Sequence, residues 1–321
     1  MQSTTSNLSH LHVRYADLRP CTNAFIDARS PGSDKKENFT IIGPGVAENP
    51  NQYVHITEPH GFNIGAARQP PHCTNSLHSH DTAEVFIIHT GQWRFFWGED
   101  GKAGEVFLNP GDTISIPIHI FRGFENVGTI TGFMFAVLGG DDPGRVQWAP
   151  HVIEKARGYG LVLLENGALI DTTLGEKIPA DAKVVHPATA AEIAYIRVPS
   201  GIEMQQRVVA HSAFQRESHH HLIETTIIDD GQDGALISTP TVPHGFSLQH
   251  LKLAKGASTT MHQVAGVEVL LLHAGSAIWR NNLGDALQLK VGDTFTVPRG
   301  MMRQITATVD TEIFIVHGNA V

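Results

Sequence analysis

His78-Ser79-His80-Asp81-Thr82-Ala83-Glu84-Val85-Phe86-Ile87-Ile88 carries two imidazoles and a carboxylate into an apolar run that stops at Gly91. His78 and His80 are two residues apart, so on an extended strand their side chains leave the same face. Glu84 shares that parity, unless a turn before it breaks the count. Two nitrogens and one carboxylate oxygen from so short a stretch suit a divalent cation with mixed N and O ligands. The plainer reading is three solvated polar residues ahead of a core strand. The stretch alone does not choose between them.

Outward from it, the chain is a series of short apolar runs cut by turn residues. Upstream lie Asn23 to Asp27, Phe39-Thr40-Ile41-Ile42, Tyr53 to Ile56 and Phe62 to Ala67. Downstream come Trp93-Arg94-Phe95-Phe96-Trp97, Glu105 to Leu108, Thr113 to Ile116, Phe121 to Asn126 and Ile130 to Leu138. Gly98-Glu99-Asp100-Gly101 and Asn109-Pro110-Gly111-Asp112 mark the turns between them. Many short strands with almost no helical periodicity predict an all-β sandwich or barrel. Residues 143–200 break the rhythm. A short helix is expected over Pro150 to Arg157, and a hairpin from Leu161 to Ile170 around Glu165-Asn166-Gly167. A helical turn is expected over Thr189 to Ile193. This segment reads as a structured connection between two halves.

The second half repeats the first. Pro59-His60-Gly61-Phe62 recurs as Pro243-His244-Gly245-Phe246. At unchanged spacing from these, His78, Glu84 and Gly91 recur as His262, Glu268 and Gly275. Gly111-Asp112-Thr113 returns as Gly292-Asp293-Thr294, Pro117 as Pro298 and Arg122 as Arg303. The expected division is a first copy at 20–142, the connection at 143–207 and a second copy at 208–321. His219-His220-His221 falls within the second copy and reads as a loop or strand start rather than a ligand set.

The 321 residues are 41% hydrophobic and 17% charged, which suits a globular chain with substantial cores. A formal charge of -9 without a Lys/Arg-rich run argues against nucleic-acid binding. No apolar stretch reaches the length of a membrane span. Cys21 and Cys73 are the only cysteines, so neither a disulfide framework nor a thiolate cluster is expected. Met1 to His10 lacks the apolar core of a signal, and the expected location is cytoplasmic.

These residues resemble the cupin superfamily. Its first motif is a Gly, then His-x-His, three or four residues, Glu, six residues and Gly. His78, His80, Glu84 and Gly91 fit, without the leading Gly. Its second motif is Gly, five residues, Pro-x-Gly, two residues, His, three residues and Asn. Gly111, Pro117 and Asn126 fit; His119 stands at the Gly position and Arg122 at that of the third metal-binding His. In the second copy Gly256, His262, Glu268 and Gly275 fit, but Val264 replaces the second His, Arg303 the third, and Ala307 the Asn. The resemblance therefore implies a bicupin: two jelly-roll β-barrels related by duplication, with a metal site in the first and a degenerate second.

From that resemblance the first expectation is a metal-dependent oxidoreductase, a dioxygenase acting on a small, possibly anionic aromatic, enol or diketone substrate. Its metal would be held by His78, His80 and Glu84. Fe(II) is the leading cofactor, with Mn, Ni or Zn as alternatives. Phe86, Phe95, Trp97 and Phe124 are candidate pocket walls. Arg122 is a candidate clamp for a substrate anion, because a guanidinium cannot ligate a metal. His119 is a candidate catalytic group or third nitrogen ligand. The alternatives are a metal-dependent isomerase or lyase of a small keto or hydroxy acid, with His119 or His60 moving a proton, and a non-catalytic binding or storage protein. The remaining expected partner is a second copy of the chain, in a homodimer or higher closed oligomer.

Overall fold

Alternating buried and half-buried residues along Trp93–Trp97 are the local cause of a strand with one face on a core. Glu84–Thr90 is buried along almost its whole length, as its continuous apolar run requires. A computed structural model describes residues 8–214, 221–229, 235–237 and 243–318. His219 and His220 lie outside the described residues. Contacts divide the chain into two units. One holds Arg19–Thr57 and Asn63–His211; the other holds the chain up to Leu18, Glu58–Phe62 and Ser212 onward.

The first unit contains two main sheets. A seven-stranded sheet runs Val208–Val209, Thr113–Ile116, Glu84–Thr90, Gly132–Gly139, Phe62–Gln69, Glu37–Ile42, Val54–Ile56. A five-stranded sheet runs Val146–Trp148, Thr74–His80, Arg122–Asn126, Trp93–Trp97, Gly104–Leu108. Glu84–Thr90 runs antiparallel to both Thr113–Ile116 and Gly132–Gly139, whereas Glu37–Ile42 and Val54–Ile56 run parallel. The sheets meet through aromatic rings. Phe86 of one lies 5.0 Å from Phe95 and 5.4 Å from Phe124 of the other, between ring centroids. Gly91 makes the turn out of the Glu84–Thr90 strand at φ +83°, and a Cβ there would stand 2.6 Å from the Gly132 Cα. Only glycine meets both conditions.

The all-β duplicated reading agrees with this structure, but closed jelly-roll barrels do not. Neither sheet closes on itself: the larger ends at Val208–Val209 and Val54–Ile56, the smaller at Val146–Trp148 and Gly104–Leu108. A barrel needs a ladder continuous round its circumference. Three of those four end strands are only two or three residues long, too short to carry it. The layers are held by apolar contact, as a sandwich.

The second unit repeats the plan with a six-stranded sheet and a four-stranded one, also open. The six-stranded sheet runs His12–Val13, Thr294–Val297, Glu268–Ala274, Thr311–Gly318, Phe246–Leu253, Leu222–Ile228; the other runs His262–Gln263, Met302–Ala307, Ser276–Arg280, Ala286–Lys290.

Asn23 to Asp27, expected as a strand, forms consecutive turns, with bonds such as Ala28 N to Phe25 O. The helix Pro150–Gly158 and the pairing of Leu161–Leu163 with Leu169–Asp171 agree with the sequence reading. Val152, Ile153, Ala156 and Leu161 bury against Leu77, Phe121 and Trp148. This second core backs the strand that carries both histidines.

Candidate metal centre

His78 and His80 leave Thr74–His80, and Glu84 opens the next strand in sequence, across the sandwich in the other sheet. The two-residue spacing and the short turn between strands therefore bring all three to one place. One donor atom from each lies within 4.8 Å of the others. The imidazoles stand edge to face, 5.0 Å between centroids. His80 Nε2 is 3.6 Å from Glu84 Oε2. All three side chains are buried.

His78 is fixed from behind. Its Nδ1 lies 2.7 Å from Ser76 O and 3.4 Å from Asn75 Nδ2. A carbonyl can only accept, so the shorter contact places the proton on Nδ1 and leaves the Nε2 lone pair for a ligand. Ser76 and Asn75 are held in turn by a buried ion pair. Lys36 Nζ binds Asp27 Oδ1 and donates to Asn75 Oδ1 at 2.6 Å, while Ser76 N donates to Asp27 Oδ2 at 3.0 Å. Nothing in the sequence announces this support, because Asp27 and Lys36 fall in a stretch rich in Pro, Gly and charge. Trp148 closes one side of His78, with ring centroids 5.2 Å apart.

Burial, reinforced by the Arg122 charge, holds both imidazoles well below their ordinary range. They are neutral near pH 7, as ligands must be. Burial pushes the Glu84 carboxyl up, and Arg122 pulls it back. Two neutral imidazoles and a carboxylate fit a divalent cation; the donor set does not distinguish among metals. The complication is Arg122, only 1% exposed. Its Nη1 donates to His78 O at 2.8 Å and its Nη2 binds Glu84 Oε2, the same oxygen that faces His80. A cation bound here shares its carboxylate with a guanidinium.

The centre opens on a cavity of about 80 Å³. Phe86 and Phe124 line it; Phe95, Trp97, Arg122 and His119 are not among its lining residues. His119 lies beside Tyr195, ring centroids 4.7 Å apart, on a left-handed backbone at φ +57°. Its N donates to His80 O at 3.4 Å. His60 belongs to the other unit, its Nε2 3.0 Å from Thr296 Oγ1. The opposite wall is cut back to Gly65, Ala66, Ala67 and Ala136, and carries the polar side chains of Asn38 and Thr40. Sequence reasoning misses Asn38; its only signal is a polar residue at the mouth of an apolar strand.

In the second unit Val264 is buried where a histidine would be needed. Arg303 Nε donates to Glu268 Oε2 at 2.7 Å, repeating the Arg122–Glu84 pair. Burial opposes the Glu268 charge, but His317 and Arg303 outweigh it and lower the carboxyl to about 2.

No protein-family model matches the sequence, and no curated protein matches it. Solved structures do. Oxalate decarboxylase of Lactobacillus farciminis superposes with a TM-score of 0.58 at 14% identity, covering 100% of this chain and 88% of that one. A point mutant of the salicylate 1,2-dioxygenase of Pseudoaminobacter salicylatoxidans gives 0.50 at 13%, covering 80% and 71%. Vicilin of Corylus avellana gives 0.53 at 12%, covering 97% and 86%. The fold of this chain is the one that these structures share. The three relatives bear unrelated names on one fold, so the likeness carries architecture and not activity. Among the described residues, no helix is long and apolar enough to cross a membrane.

Proposed function

We propose that this protein is a metal-dependent lyase or isomerase of a small keto or hydroxy acid. The observation that carries this reading is the size of the cavity at the His78–His80–Glu84 centre. Its volume is about 80 Å³, whereas an apolar cavity that takes benzene measures roughly 150 Å³. The space suits a substrate of a few heavy atoms better than an aromatic ring. A divalent cation held by the three donors would polarise a substrate carbonyl or carboxylate oxygen. Phe86, Phe124 and the small residues opposite would exclude water around it. Arg122, one layer behind, would keep Glu84 ionised and aimed. The likeness to oxalate decarboxylase over the full chain supports the same direction, since that protein's name describes a small carboxylate lost without a ring being opened.

A dioxygenase remains the second reading, favoured by the aromatic walls and by the salicylate 1,2-dioxygenase likeness. Protein loaded with Mn(II) or Fe(II) in turn should transform small keto or hydroxy acids at equal rates under argon and in air. Turnover that stops under argon and consumes O₂ in step with substrate would restore the dioxygenase.

A further inference from the structure

The first unit contains a second and larger cavity, of about 310 Å³. Residues 45–48, the strand Val146–Trp148 and side chains of the connecting segment line it. Residues 45–47 also line the cavity at the His78–His80–Glu84 centre, and so stand between the two. An apolar cavity that takes benzene measures roughly 150 Å³, so this one has room for a body of about two rings. Trp148, Ile153, Leu163 and Leu164 form its buried lining. Val46, Ala47, Val146, Val185 and Ala188 line it too and are only half-buried, which leaves apolar surface of five residues wet around one cavity. An occupant with an apolar body removes that surface from water, a gain that grows with the area covered.

The polar lining gives the occupant a direction. Glu48 has both carboxyl oxygens engaged, by Trp148 Nε1 and Ile26 N, and burial raises its carboxyl to about 8, so it adds no negative charge near pH 7. Gln147 accepts from the Tyr195 hydroxyl. Arg145, Glu165 and His186 are exposed and mark the mouth. Arg145 is anchored there by Nη1, which donates to Glu165 O at 2.9 Å. A guanidinium has further N–H donors to offer, and among the described residues no carboxylate pairs with this one.

We propose that this cavity is a second ligand site, taking an aromatic carboxylate of about two rings, with the rings against Trp148 and the leucines and the carboxylate on Arg145 at the mouth. A small acid without rings would leave the apolar lining wet, and rings without a charge would leave Arg145 unused. The site does not depend on what the His78–His80–Glu84 centre turns over.

The test is calorimetric titration of the full chain with 2-naphthoate and with its uncharged counterpart, 2-naphthamide. The acid should bind at about one equivalent and about fivefold more tightly than the amide, the size of an exposed charge pair. Arg145→Gln should weaken the acid about fivefold and leave the amide unchanged. Val185→Trp, which fills the cavity from a half-buried position, should abolish binding of both; Ala188→Trp replaces it if urea unfolding shows that Val185→Trp does not fold. Wild-type protein that binds neither compound, or a folded filling variant that binds both as before, overturns the site. An amide bound as tightly as the acid, or Arg145→Gln weakening both alike, overturns the carboxylate on Arg145 and with it the proposal.

Discussion

Arg122 ties the backbone of His78 to the carboxylate of Glu84 at the candidate metal centre. The motif places it at a metal-ligand position but does not say where its guanidinium points, since periodicity reports the face of a strand and not the reach of a long side chain. In the structure Nη1 goes to the His78 carbonyl and Nη2 to Glu84. Arg122→Leu should strand Glu84 as an unpaired buried acid and lower stability by roughly 3–5 kcal/mol, read from urea unfolding. Arg122→Gln removes the charge while keeping an amide donor. Because Arg122 repels a cation at the histidines, Arg122→Gln should bind Mn(II) severalfold more tightly in a competition titration. Weaker binding would mean that aiming Glu84 matters more than repulsion. His78→Ala, by contrast, removes a candidate ligand and should abolish Mn(II) binding in the same titration. The motif spacing made the His78, His80 and Glu84 cluster legible, because three residues on adjoining strand ends stay together in almost any strand pairing. Asn38 and the Asp27–Lys36 support were not, since they reach the site from residues distant in sequence.

Elements joined by one carboxyl illustrate what alternation and turn residues cannot convey. The strands were legible because each has its own pattern and its own Gly, Pro or Asn boundary. Glu48 belongs to no strand, yet it ties three segments. Its Oε1 accepts from Trp148 Nε1 at 2.6 Å and its Oε2 from Ile26 N at 2.7 Å, bracing the strand beside His78 against the first turns of the unit. Burial pushes its carboxyl from 4.5 up to about 8, against the pull of those two donors. The folded chain thus holds this proton more tightly than the unfolded chain. Its stabilising effect is full below about pH 4.5 and is lost as pH rises towards 8, a change of a few kcal/mol. Urea unfolding followed by tryptophan fluorescence should therefore show the midpoint falling between about pH 5 and pH 8 from this group. A flat profile would mean that Glu48 is ionised in the fold. Leu77→Ala, in the core that backs the His78 strand, should cost roughly 2–5 kcal/mol in the same measurement.

At the scale of the whole molecule, the repeat was legible in the constant spacing of its motifs, and the open sheets were not, because sheet closure depends on hydrogen bonds between edges that no periodicity encodes. Nor was the fate of two of the two-residue edge strands. His12–Val13 pairs with Thr294–Val297, and Val208–Val209 pairs in the same sense with Thr113–Ile116. Each is secured by the aspartate of a Gly-Asp-Thr turn. Asp293 accepts from Tyr15 N at 3.1 Å and lies 3.0 Å from His12 Nε2; Asp112 accepts from His211 N at 2.7 Å. Asp293→Ala should lower the stability of the second unit by about 1–3 kcal/mol and leave Mn(II) affinity unchanged. Equal loss of metal would contradict a separate footing for the two units. These two small strands also set a timetable for synthesis. The first unit has all its strands once Val209 has left the ribosome, so the candidate metal centre can form while the chain is still growing. His12 and Val13 are made long before Thr294 to Val297 and must wait for them. Thr294 to Val297 thus emerge with their cover already made, whereas Thr113 to Ile116 wait for Val208 and Val209, so the first unit is the one whose sheet edge stays uncovered during synthesis.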